Sequence, residues 1–140
     1  MKDSPQPLLA QLMQTLGSVE SRLESALETV GLSIAKYRAL AQLARSDEPL
    51  PLSELAERCA CVRSNITQLV DRLEAEGLAE RTLDPQDRRC VRARLTDAGR
   101  ARYAAGVKAL DAAQKALFAP LKKQQRDGLL AALELLREEG

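Results

Sequence analysis

Apolar residues recur at alternating spacings of three and four along the first thirty positions: Leu9, Leu12, Leu16, Val19, Leu23, Ala26 and Val30. That is the narrow stripe of a helix that buries a seam against another helix. The pattern predicts a helix over 8–30, entered after Pro5 and Pro7, polar on its far side (Ser18, Ser21, Arg22, Ser25, Glu28) and ended by Gly31. Ser33 is placed to cap a second helix over 34–46, with Ile34, Tyr37, Leu40, Ala41 and Ala44 on one face. The polar run Ser46-Asp47-Glu48-Pro49 breaks it. Leu50-Pro51-Leu52 is too short for more than one extended segment, and Ser53 is read as the cap of a short third helix to about Arg58.

A fourth helix is predicted from Ser64 to Glu76, stopped by Gly77, a residue that tolerates the left-handed turn closing a helix. Ala79–Leu83 and Cys90–Leu95 flank a polar, turn-forming run, Asp84-Pro85-Gln86-Asp87-Arg88-Arg89, and so read as a β-hairpin with a charged tip. Thr96 caps a fifth helix over 97–118, Pro120 interrupts it, and a last amphipathic helix covers 122–138. The fold class is therefore mainly α, in the order α-α-α-α-β-β-α-α, with room for one very short extra strand. A chain of 140 residues suffices for one domain with its own core, and aromatics are only 2%, so Leu, Ala and Val must fill that core.

Composition narrows the chemistry. With no histidine, nucleophile arrangements that need one are absent, and three cysteines (Cys59, Cys61, Cys90) are too few for a four-cysteine zinc site. No metal, cofactor or catalytic residue is expected, and no enzyme. No apolar run reaches the length of a membrane span, and residues 1–7 do not resemble a signal peptide, so a cytoplasmic protein with reduced thiols and no membrane partner is expected. The net charge is only +1, but the basic residues are unevenly spread: residues 81–102 hold seven basic and three acidic side chains, whereas 1–57 hold five and eight.

That basic window adjoins a helix-turn-helix pattern. Counting from Leu52, Ala56 stands at the fifth position, where two steeply crossed helices need a small side chain. Leu55, Cys59, Cys61, Ile66 and Leu69 form the inward set, and Ala60 fills the turn. With Ile66, Leu69, Val70 and Leu73 facing in, the outward face of the fourth helix carries Ser64, Gln68, Asp71 and Ala75, flanked by Asn65, Arg72 and Thr67. The Ser, Asn, Gln, Thr and Arg side chains among these, with Arg63 ahead of them, can bond base edges and phosphates in a major groove. At the hairpin tip Arg88 and Arg89 form a narrow cationic apex suited to a minor groove, with Asp87 able to pair with one of them. Arg81, Arg92 and Arg94 on the strands could reach flanking phosphates. Each feature also has a plainer reading, an αα-hairpin with a polar face and a hairpin solubilised by charge.

Taken together, the run LSELAERCACVRSNITQLVDRLEAEGLAERTLDPQDRRCVRARLTDAGR (52–100) resembles the core of MarR-family regulators. The matching features are the helix-turn-helix, LVDRLEAEGL at 69–78, R-x-x-D-P-x-D-R-R at 81–89 and LT-x-x-G at 95–99. The resemblance extends to the long terminal helices. It implies one domain over 1–140, with a winged helix-turn-helix lobe at 34–100 and dimerisation helices at 8–30 and 101–138. It further implies a homodimer on a palindromic double-stranded DNA operator, most often as a repressor, with Asn65, Thr67 and Gln68 in the major groove and Arg88 or Arg89 in the minor groove. Members of the family bind small lipophilic or phenolic effectors between the dimerisation helices and the lobe; here Leu12, Leu16, Tyr37, Leu40 and Tyr103 would line such a pocket, although they read equally as core. Others sense oxidants through cysteine, for which Cys61 and Cys90 are the candidates, with Cys59 a small core residue. A thiol-based sensor of the same fold, and a winged-helix protein–protein adaptor without DNA binding, stay open as alternatives.

Overall fold

The computed structural model describes residues 5–138, and six helices and a three-stranded sheet account for most of them: α1 (Pro5–Glu28), α2 (Ile34–Arg45), β1 (Leu50–Pro51), α3 (Leu52–Arg58), α4 (Arg63–Ala75), β2 (Ala79–Leu83), β3 (Val91–Leu95), α5 (Asp97–Phe118) and α6 (Lys123–Glu138). The element order matches the sequence pattern, and the differences lie at the edges. The short extended segment is a real strand: Leu50 and Pro51 pair antiparallel with Ala93 and Arg92, giving the sheet order β1-β3-β2. Because β1 runs straight into α3, the cap of α3 is Pro51 and Ser53 lies inside the helix, not at its cap as the sequence pattern suggested. The expected caps of α2 and α5 do form: Lys36 N–H donates to Ser33 Oγ at 3.1 Å, and Gly99 N–H donates to Thr96 Oγ1 at 3.0 Å.

The core lies within the winged-helix lobe. Leu40, Leu55, Ile66, Val70, Leu73 and Leu78 are fully enclosed, and β3 closes them over with Ala93 and Leu95. From α1, Leu27 joins this core, although it lies outside the three-four stripe. α1 packs against both α2 and α5. Ser33 is helped at the start of α2 by Glu24 of α1, whose Oε1 accepts Ile34 N–H at 3.0 Å.

Two close approaches hold the lobe to α5. Thr96 N–H and Oγ1–H donate to the carbonyls of Leu78 and Gly77, at 3.1 and 2.6 Å. Gly99, one turn later, sits so near that a Cβ there would lie 1.9 Å from Leu78 O. The LT-x-x-G segment is thus a joint between wing and helix.

Beyond that joint the terminal helices are open. Leu8, Leu9, Met13 and Leu16 of α1 and Leu129, Leu130, Leu133, Leu135 and Leu136 of α6 are all exposed. Among the described residues α6 makes no extended contact with any other element of its own chain, although its leucines recur at helical spacing. Apolar surface of this extent on a folded chain marks an interaction face.

Candidate nucleic-acid interface

The helix-turn-helix is built around one left-handed residue. α3 ends at Cys59, Ala60 takes φ +53°, and Cys61 N–H returns to Ala56 O at 2.9 Å. A left-handed alanine is sterically costly, and glycine is the usual solution; here the burial of Ala56, Cys59 and Ile66 on either side holds the turn in place. Cys61, placed in the inward set by the sequence pattern, is only half-buried. It lines a shallow recess of about 250 Å³ with Asn65, Gln68 and Arg72.

Arg63, Ser64, Asn65, Thr67, Gln68 and Arg72 are all exposed along α4. Arg63 and Arg72 form no ion pair among the described residues, whereas the Thr67 hydroxyl donates to Arg63 O at 3.1 Å. Asp71, on the same outward face, would repel a phosphate backbone if left bare. Arg81 covers it: its guanidinium donates to Asp71 Oδ1 at 2.5 Å, to Glu74 Oε1 at 2.8 Å and to Thr67 O at 3.2 Å. Glu74 Oε2 accepts the Arg81 backbone N–H at 3.0 Å. Burial works against the Arg81 charge, but the bonds to Asp71 and Glu74 outweigh it and push its pKa up. So Arg81, expected to reach a phosphate, instead locks β2 to α4.

The other two strand arginines are similarly held. Arg94 pairs with Glu80 across the hairpin. Arg92 donates from Nε and Nη2 to Asp84 Oδ2 at 3.3 and 3.1 Å, and from Nη1 to Pro49 O at 3.1 Å. Gln86 N–H, bonded to Asp84 Oδ1 at 2.9 Å, and then Arg92 hold the Asp84 carboxyl below its ordinary range. The two remaining tip arginines, Arg88 and Arg89, are exposed and carry no ion pair among the described residues. Asp87 does not pair with either guanidinium; its Oδ1 accepts Arg89 backbone N–H at 3.0 Å and shapes the tip as a local turn.

Asp71, Glu74 and Asp84 were not legible as site residues. Each acts through an arginine seven or more positions away across a turn, a separation with no periodic signature.

The expected effector residues are spread over α1 (Leu12, Leu16), α2 (Tyr37, Leu40) and α5 (Tyr103). Leu40 is fully buried in the core, and Leu16 lies on the open half of α1. Tyr37 and Tyr103 do meet, stacked with ring centroids 5.6 Å apart. Burial, together with Tyr103, pushes the Tyr37 pKa up. The three cysteines are free thiols: Cys59 is buried, with its pKa raised by that burial and then by Cys61, while Cys61 and Cys90 are half-buried. Among the described residues no helix is long and apolar enough to cross a membrane.

Comparison with known proteins agrees with this geometry. A family model described as the MarR family matches residues 30–89. The HTH-type transcriptional repressor MdtR of Bacillus subtilis is 35% identical over 81 residues, 58% of this chain and 52% of the repressor. The chain spans 40% to 65% of the length of the curated relatives it matches, about half. A solved MarR-family transcriptional regulator from Silicibacter pomeroyi is 31% identical, with a TM-score of 0.68 over 96% of this chain and 91% of that one. The transcriptional repressor CouR, solved bound to a 23-mer DNA duplex, is 29% identical, with a TM-score of 0.81 over 91% and 89% of the two chains. These relatives are transcription regulators, not enzymes.

Proposed function

This chain belongs to the MarR family of DNA-binding transcription regulators, and we propose that it acts as a homodimeric repressor on a palindromic operator. The observation that carries the proposal is the joining of two DNA-reading surfaces by Arg81. The exposed polar face of α4 suits the major groove, and Arg88 and Arg89, at the end of a hairpin fixed to that helix, suit the adjacent minor groove. One such lobe reads few base pairs. A two-fold pair places two recognition helices about one helical turn (~34 Å) apart. The open leucine faces of α1 and α6 supply the surface for that pairing.

Arg81, Arg92 and Arg94 enter the proposal as supports of the wing, not as phosphate contacts. Release by a small phenolic or lipophilic effector enters at the Tyr37–Tyr103 stack, where α2 meets α5. A gel-shift titration with the DNA upstream of its own gene, repeated across salt concentrations and with a panel of phenols, tests the reading. A salt-dependent shift that the double variant Arg88→Ala/Arg89→Ala loses is expected. No shift by the wild type at low salt sinks the regulator reading, and an unaltered shift by the double variant removes the wing from it.

A further inference from the structure

We propose that Val62 determines part of the operator sequence, its isopropyl group reading the C5-methyl of a thymine in the major groove. The inference rests on the DNA-binding reading above and adds a base preference to it. Among the described residues, Val62 and Leu83 are the large apolar side chains that stand exposed on the lobe itself; the others lie on the terminal helices. Val62 is 62% exposed and occupies the N-cap of α4, with extended backbone (φ −74°, ψ 153°) and no side-chain cap bond.

Valine is a poor choice there on two counts. Ser, Thr, Asp or Asn would accept a hydrogen bond from the first turn of α4, which valine cannot do. Its methyl groups also gain little from burial, because most of the side chain faces water. Neither cost is recovered among the described residues, which leaves the isopropyl group available for contact with bound DNA.

Position says where that contact falls. A recognition helix presents its N-terminal residues to the base edges, and Val62 immediately precedes Arg63, Ser64 and Asn65. Those polar neighbours can bond donors and acceptors but cannot sense a methyl group. The one apolar group that a base pair offers in the major groove is the thymine C5-methyl. Leu83 has no such partner, because it lies on the wing, whose tip suits the minor groove, and the thymine methyl is not displayed there.

The test replaces thymines of a selected operator by uracil, one at a time in both half-sites, which removes only the methyl group. Wild-type binding should weaken about fourfold at one position per half-site, the equivalent of one buried methyl group. Val62→Ala should bind thymine and uracil versions equally. Val62→Ser, which restores a cap, should raise Tm while abolishing the same discrimination. Two results overturn the proposal with the DNA-binding reading intact: wild-type protein that binds the operator with no uracil-sensitive position, or Val62→Ala protein that keeps the sensitivity. Wild-type protein that binds no DNA at all removes both.

Discussion

Replacing Arg81 by alanine separates two roles that an arginine beside a DNA-reading helix could have. In the free protein it bridges Asp71, Glu74 and the carbonyl of Thr67. Asp71 and Glu74 are 61% and 43% exposed, so each ion pair contributes only about 0.5 kcal/mol. The bond to the Thr67 carbonyl adds about 1 kcal/mol. Removing the cation also leaves two carboxylates three residues apart on one helix face, which costs a further ~0.3 kcal/mol. The variant should therefore lose about 2 kcal/mol of stability, a fall in Tm of roughly 6 °C for a domain of this size. Because the wing is then no longer fixed to α4, operator affinity should fall about tenfold, or ~1.4 kcal/mol, at a temperature where both proteins are folded. Differential scanning fluorimetry and fluorescence anisotropy across a salt series measure the two effects. An unchanged Tm would refute the interlock. A lower Tm with unchanged affinity would show that wing placement does not depend on it. An unchanged Tm with the salt slope reduced by about one would mean that Arg81 leaves its carboxylates and contacts a phosphate after all.

Three further expectations follow from other parts of the fold. Gly99→Ala places a Cβ against the backbone carbonyl of Leu78, which cannot give way as a side chain could, so the variant should lose about 3 kcal/mol in thermal or urea unfolding; an unaltered midpoint would contradict the close joint. The double variant Leu133→Asp/Leu136→Asp changes residues that are exposed in the single chain, so its helical circular dichroism should persist while sedimentation shows a monomer; an unchanged sedimentation coefficient would free α6 from the proposed interface. The raised pKa of Cys59 favours the protonated thiol in the folded chain, so that its contribution is fully present below the ordinary value of 9.0 and is lost as pH rises through the raised one. Tyr37 shifts in the same direction from 10.0, so Cys59→Ala should flatten only the earlier part of the alkaline loss, and identical wild-type and variant profiles would contradict the assignment.

Much of the fold is written locally. The caps at Ser33 and Thr96, the terminator at Gly77 and the change of apolar period between helix and hairpin each act over a few residues, and each reappears in the structure. The exposed face of α4 follows from the same arithmetic, since fixing Ile66, Leu69, Val70 and Leu73 inward leaves Ser64, Asn65 and Gln68 outward. The limits of local reading show at Leu27, buried in the core although it lies off the stripe, and at β1, a two-residue strand that exists only because β3 lies beside it.

The arginines show the same division most clearly. The sequence by itself determined that five of them, Arg81, Arg88, Arg89, Arg92 and Arg94, would gather on one hairpin next to a helix suited to a DNA groove. Only the tertiary structure decided which of them are free. Asp71 and Glu74 face Arg81 because a tight turn folds β2 back along α4, and Asp84 meets Arg92 across the hairpin register. Helical and strand periodicity fix which way a side chain points, but a charge takes whatever partner the fold brings within reach, and that depends on how elements distant in sequence are packed.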